Sequence, residues 1–145
     1  MTRFILIRCA ADLDLAARTA AGLGRTLRIV SAPEAGIRAG AMWWKMLIDR
    51  AAARHPGIVE TALLDCGESP GRTMEAIRAG VRDLAFRGGE ALAVPLAQMA
   101  DSAGATLWRT LPDAIDLDRE KDAAEACRAV LSDDSGTDEG PAFRN

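Results

Sequence analysis

Five short apolar runs divide the chain: Phe4-Ile5-Leu6-Ile7, Leu27-Arg28-Ile29-Val30, Val59 to Leu64, Val81 to Phe86 and Thr106-Leu107-Trp108. Their starts lie 22 to 32 residues apart, close to the ~30 residues that a strand, a crossover helix and the next strand require. The segments between them have helical character. Strands that are apolar on both faces and alternate with helices belong to a parallel sheet covered on both sides. The pattern predicts an α/β fold, a three-layer sandwich around a five-stranded parallel sheet with the flavodoxin-like strand order 2-1-3-4-5.

Turn and cap residues agree with this division. Gly22, Gly24, Gly57, Gly80 and Gly104 stand at the helix-to-strand joins, where a residue that accepts positive φ is needed. Asp12, the stretch Ser31-Ala32-Pro33-Glu34, Ser69-Pro70 and Asp116 or Asp118 offer N-cap chemistry at the other joins. Pro95 lies inside the helical stretch Glu90 to Ser102, so that helix either starts near Pro95 or is kinked there.

The second helix is predicted over Ile37 to Arg54. At about 100° per residue, Ile37, Ala41, Trp43, Trp44, Leu47, Ile48 and Ala51 share one broad face, opposite Arg38, Lys45 and Asp49. Met42 and Met46 flank the polar stripe and add apolar surface beyond what one contact with a sheet needs. Met42, Trp43 and Met46 are therefore interface candidates, and a homodimer is expected; a wide core face with Trp43 at its edge would give the same pattern. Gly36 and Gly40, one turn apart, either admit another backbone or mark a loop before the helix.

Composition limits the alternatives. A chain of 145 residues, 49% hydrophobic and 27% charged, builds one ordinary core and excludes a complete eight-fold barrel of about 250 residues. Removing four acids and one base of the tail from the totals of 21 and 18 leaves 17 of each in residues 1 to 131. That neutral body offers no footprint for nucleic acid or an anionic membrane surface. Beyond Leu131 periodicity ends, so residues 1–131 read as a single domain and 132–145 as a disordered acidic tail, with Phe143 its one bulky apolar residue. Cys9, Cys66 and Cys127 are odd in number and form no CxxC pair, which predicts neither a disulfide framework nor a metal site. The initial apolar run of four residues is too short for a signal peptide or a membrane span, and a cytoplasmic location is expected.

Candidate chemistry follows from topology. Ligands of open parallel sheets bind beyond the strand C-termini where the strand order reverses, which for 2-1-3-4-5 lies between the first and third strands. The loops expected to meet there are Arg8-Cys9-Ala10-Ala11-Asp12 and Asp65 to Thr73. The second places an acid and a thiol at a strand end, then Gly67 and Gly71, with Ser69-Pro70 starting a helix and Arg72 in its first turn. Helix N-termini attract anions, so Arg8, Cys9, Asp65, Cys66, Gly67, Ser69, Gly71, Arg72 and Arg87 are candidate ligand residues for a small anionic molecule or a protein partner at this edge of the sheet, with Arg109 on the same edge. A tight turn serving geometry alone accounts for the same glycines. The loop is neither a Walker A sequence nor a dinucleotide fingerprint, and no cofactor is expected. In an enzyme, a lyase or hydrolase, Asp65 would act as acid or base or Cys66 as nucleophile. The one histidine, His55, ends a helix at the other edge of the sheet, away from any Cys-His pairing.

The stretch Leu63-Leu64-Asp65-Cys66-Gly67, followed by Pro70-Gly71 and Ala76-Ile77-Arg78-Ala79-Gly80, resembles a family of small, uncharacterised α/β proteins from alphaproteobacteria. The resemblance covers most of residues 3 to 117 and implies the fold but no catalytic residue. More distantly, five βα units with Asp65 ending the third strand are similar to response-regulator receiver domains, which implies a regulatory interaction module. Arg8-Cys9 replaces the acidic pair of those domains and Arg109 their lysine, so the resemblance does not carry phosphorylation to Asp65. The step from Ala76 to Phe86 also resembles one unit of a phosphate-binding aldolase barrel.

Overall fold

All five apolar runs extend as strands: β1 (Phe4–Ile7), β2 (Leu27–Ser31), β3 (Val59–Asp65), β4 (Asp83–Ala85) and β5 (Thr106–Trp108). The structure is a computed structural model and describes residues 3–133; the expected tail beyond Asp133, Phe143 included, lies outside the described residues. Helices follow the strands: α1 (Ala10–Leu23), α2 (Ala35–Arg38), α3 (Ala41–Arg54), α4 (Pro70–Ala79), α5 (Glu90–Ser102) and α6 (Ala123–Ser132). The fold is α/β with a parallel sheet, as the pattern predicts.

Two expectations about the sheet are corrected. It has six strands, not five, because Ala114–Asp116 forms β6, and its order is β5-β4-β3-β2-β1-β6, not 2-1-3-4-5. Of the three residues of β6 only Ile115 is buried, too little apolar pattern to mark a strand. Its pairing partner defines it, with Phe4, Ile5 and Leu6 of β1 opposite Ala114, Ile115 and Asp116. The chain advances in one direction from β1 to β5, so β2 separates β1 from β3. Strand order reverses between β1 and β6, not between β1 and β3.

Contacts group the chain into two compact units, each discontinuous in sequence. The first holds residues 3–30, 47–62 and 112–133 of the described chain. Its β1 and β6 pair, and α1 packs on α6. Leu13, Ala16, Ala17 and Ala20 line the buried side of α1 at the spacing of one helical face. The buried Arg28 lies 4.5 Å over the ring of Phe4, with Glu60 3.6 Å from its Nε. The second unit holds residues 31–46 and 63–111. Leu63, Leu64 and Asp65 pair with Asp83, Leu84 and Ala85, and these pair with Thr106, Leu107 and Trp108. The Trp108 indole N–H donates to Asp83 at 3.0 Å.

Helix ends show where local signals succeed. Ser69 caps α4, accepting the Arg72 N–H at 3.1 Å with Pro70 behind it. Asp12 is not the cap of α1; it lies in the first turn and accepts the Arg8 N–H at 2.9 Å, while Cys9 stands at the cap position. Ser31 to Glu34 form no capping box, because Ser31 ends β2 and Glu34 turns left-handed at φ 62. Asp116 ends β6 and caps a 3-10 turn, Leu117–Arg119, so Asp122 caps α6 instead. Pro95 lies inside α5, which starts at Glu90.

The predicted second helix is broken into α2 and α3 at Gly40, whose φ is 89. On α3 the predicted inner face holds, since Ala41, Trp44, Leu47 and Ala51 are buried and Met42 and Met46 are exposed. Lys45 does not stay in solvent: its ammonium donates to the Ala79 carbonyl at 2.8 Å, a favourable place for a cation at the end of α4. Among the described residues no helix is long and apolar enough to cross a membrane.

Candidate functional site

At the end of β3 the apolar run stops on Asp65, which is 0% exposed. A buried carboxylate must find donors or neutralise itself, and here four N–H groups meet it. Oδ1 accepts from the Gly67 amide at 3.1 Å and from Arg87 Nε at 3.0 Å. Oδ2 accepts from the Glu34 amide at 2.7 Å and from Arg87 Nη2 at 2.8 Å. The Asp65 N–H in turn donates to Ser31 Oγ at 3.0 Å. Four donors fill the lone-pair capacity of a carboxylate, so Asp65 ties the ends of β2, β3 and β4 together. It retains no acceptor for a substrate proton.

This knot depends on close backbone approach. A Cβ on Gly36 would stand 2.9 Å from the Asp65 carbonyl oxygen and 2.9 Å from Cys66 Sγ. Gly36 and Gly40 divide the two expected roles: Gly36 admits the end of β3, and Gly40 makes the turn. Gly67, at φ 56, has Ile37 and Glu34 side chains against the position of a Cβ.

Cys66 is buried and its thiol points to the Arg72 carbonyl at 3.9 Å. Burial, with the Asp65 charge adding to it, pushes the thiol up to about 12. A nucleophilic thiolate needs the opposite shift. Cys127 is also buried and raised by burial.

Like the Glu34 side chain at 44%, Arg87 reaches solvent, with 35% of its side chain exposed. The Asp65 hydrogen bonds raise its hold on its proton, and Nη1 has no partner among the described residues. Gly88 and Gly89 follow and open α5; a Cβ on Gly88 would overlap the ring of Phe86. Arg109, at the end of β5, donates to the Phe86 carbonyl and, at 2.6 Å, to the Gly88 carbonyl. Its guanidinium lies 5.5 Å over the Phe86 ring, with Glu90 3.8 Å away. Arg109 thereby holds the loop that presents Arg87.

The predicted residues divide between the two units. Asp65, Cys66, Gly67, Ser69, Gly71, Arg72 and Arg87 fall in the second. Arg72 pairs with Glu75 at 2.9 Å on the surface of α4, and Ser69 and Gly71 serve the helix start. Arg8 and Cys9 fall in the first and do not meet the Asp65 loop on a neighbouring strand, because β2 intervenes. They stand where the strand order reverses. There Arg8 Nη2 lies 2.7 Å from Asp116 Oδ2, with Asp118 3.5 Å from its Nε. The Arg8 hydrogen bond holds the Asp116 carboxyl below the usual range. Ser31, Glu34 and Gly36 join the site without a sequence signal that singles them out for it: Ser31 to Glu34 carry the pattern of a capping box, and Gly36 that of a close backbone approach or a loop. Among the described residues no group of three or more His, Cys, Asp or Glu side chains could hold a metal ion. No protein-family model and no curated protein sequence matches this chain.

Proposed function

We propose that the protein is a binding module for a small anionic ligand, recognised by Arg87 at the C-terminal edge of β3, β4 and β5. The observation that carries this is the grip of buried Asp65 on two nitrogens of Arg87, which orients the guanidinium while leaving 35% of the side chain exposed. An arginine fixed in this way loses little rotamer entropy on binding. Gly88 and Gly89 bring the first-turn amides of α5 next in the chain, where anions are favoured. An enzymatic role for Asp65 or Cys66 has less support, since one has no free acceptor and the other no thiolate near neutral pH. The test is an amide NMR titration with inorganic phosphate and with small carboxylates. Saturable shifts of the Gly88 and Gly89 amides are expected, weakened about tenfold in Arg87→Lys, which keeps the charge and loses the fork. Glycine amides that stay still at millimolar anion would refute the reading.

A second reading, self-association as a homodimer, is favoured by Met42 and Met46, 62% and 68% exposed and one turn apart on α3, with half-buried Trp43 between them in sequence. Sedimentation at tens of micromolar, a rough working range for weak association, is expected to show twice the 15.4 kDa of one chain. Met46→Glu is expected to return it to the monomer. A wild-type monomer under those conditions removes this reading and leaves the ligand reading intact.

A further inference from the structure

In the first unit, α1 and the C-terminal part of α3 border a cavity of about 220 Å³ lined by Asp14, Ala17, Arg18, Ala51, Arg54 and His55. Ala17 and Ala51, its two apolar lining residues, are buried. Its volume falls below the ~300–1,000 Å³ of sites for drug-sized ligands, which limits an occupant to a few heavy atoms.

The charge of the lining is unbalanced. Asp14 is its single carboxylate, with Arg50 Nη2 at 3.1 Å from Oδ2 and Arg54 Nη1 at 3.7 Å from Oδ1. Arg18 spends one N–H on the Asp14 backbone carbonyl at 3.4 Å and pairs with no carboxylate among the described residues. The lining itself holds two guanidinium groups, Arg18 and Arg54, against the one carboxylate of Asp14, leaving one positive charge in excess; Arg50, outside the lining, shares that carboxylate with Arg54, and the His55 ring adds a hydrogen-bonding edge. Planar guanidinium forks match the paired oxygens of phosphate and its esters.

We propose that this cavity is an oxyanion site that takes inorganic phosphate or the phosphate group of a small ester, held by Arg18 and Arg54 with His55 on the rim. The site shares no residue with the Arg87 edge and does not depend on it. His55 is the chain's one histidine, so its ring protons give an isolated local probe. The full-length protein is titrated with inorganic phosphate at constant pH, with sodium chloride keeping ionic strength constant. The expected result is a saturable shift of the His55 ring signals. Its half-saturation concentration rises at least fivefold in Arg18→Gln and in Arg54→Gln and stays unchanged in Arg87→Lys. Both arginines are exposed, and Arg50 still pairs Asp14, so both variants are expected to fold; unchanged methyl signals of the core would confirm it. A shift that never saturates, or one equal in wild type and both glutamine variants, overturns the proposal. Repeating the titration with glycerol phosphate separates the two ligand sources: tighter binding than phosphate assigns the site to an ester, and weaker binding to the free ion.

Discussion

Asp65→Ala is expected to destabilise the protein by roughly 3 kcal/mol or more, the lower part of the ~3–5 kcal/mol range for breaking a buried ion pair from one side. The substitution strands the Glu34 amide, the Gly67 amide and the Arg87 guanidinium, which all donate to that carboxylate. Each buried donor left without an acceptor costs about 1–3 kcal/mol. Arg87 remains in contact with water, which moderates its share and places the total at the lower end. Asp65→Asn keeps the shape but turns an amide NH2 toward donors, so it recovers only a minor part of the loss. Urea unfolding with an unchanged m-value measures the difference directly. At roughly 2–4 °C per kcal/mol for a chain of this size the melting temperature falls by about 10 °C. A loss below about 1 kcal/mol would mean that the knot contributes little to stability and that Asp65 is retained for another purpose.

Gly36→Ala is expected to cost about 2 kcal/mol, within the ~1–3 kcal/mol range for overpacking, although alanine favours helix over glycine by about 1 kcal/mol. The added methyl meets the Asp65 carbonyl oxygen and Cys66 Sγ at 2.9 Å and Cys66 Cα at 3.2 Å. Two of these three atoms are backbone at the end of β3, which cannot retreat without carrying the Asp65–Arg87 pair with it. Gly40→Ala separates steric from conformational cost, because Gly40 sits at φ 89 with nothing within 4 Å of a Cβ. Its loss is expected near the ~1–2 kcal/mol of a left-handed residue. Thermal unfolding of the two variants side by side tests the assignment, and a neutral Gly36→Ala would show that α2 can move off the strand.

The candidate site was legible in pieces. Asp65 stood out because a charged residue ended an apolar run, and Ser69-Pro70 because cap chemistry is local. What these residues do was not legible. An aspartate after Leu63-Leu64 reads equally as a catalytic acid and as the buried partner of a distant arginine; nothing in the chain pairs Asp65 with Arg87, 22 positions further on. Arg8 and Cys9 belong beside the Asp65 loop only under the strand order 2-1-3-4-5, which this sheet does not have. Arg72, in the first turn of α4, has the place of a counter-charge for a ligand, but Glu75, three residues on, pairs with it.

Five of the six strands, the helical segments between them and the apolar side of α3 are legible in the sequence alone. Trp44, Leu47 and Ala51 turn inward and Met42 and Met46 outward because a 3.6-residue period is a local property, readable from one segment at a time. Strand order, the existence of β6 and the meeting of Ser31, Glu34, Gly36, Asp65 and Arg87 were decided by the tertiary structure. A parallel strand with apolar faces fits beside any other of its kind, and crossovers of similar length serve either order. The choice lies in backbone pairing and in contacts that form only once the strands are side by side, where a glycine admits a neighbouring chain and a buried carboxylate collects its four donors.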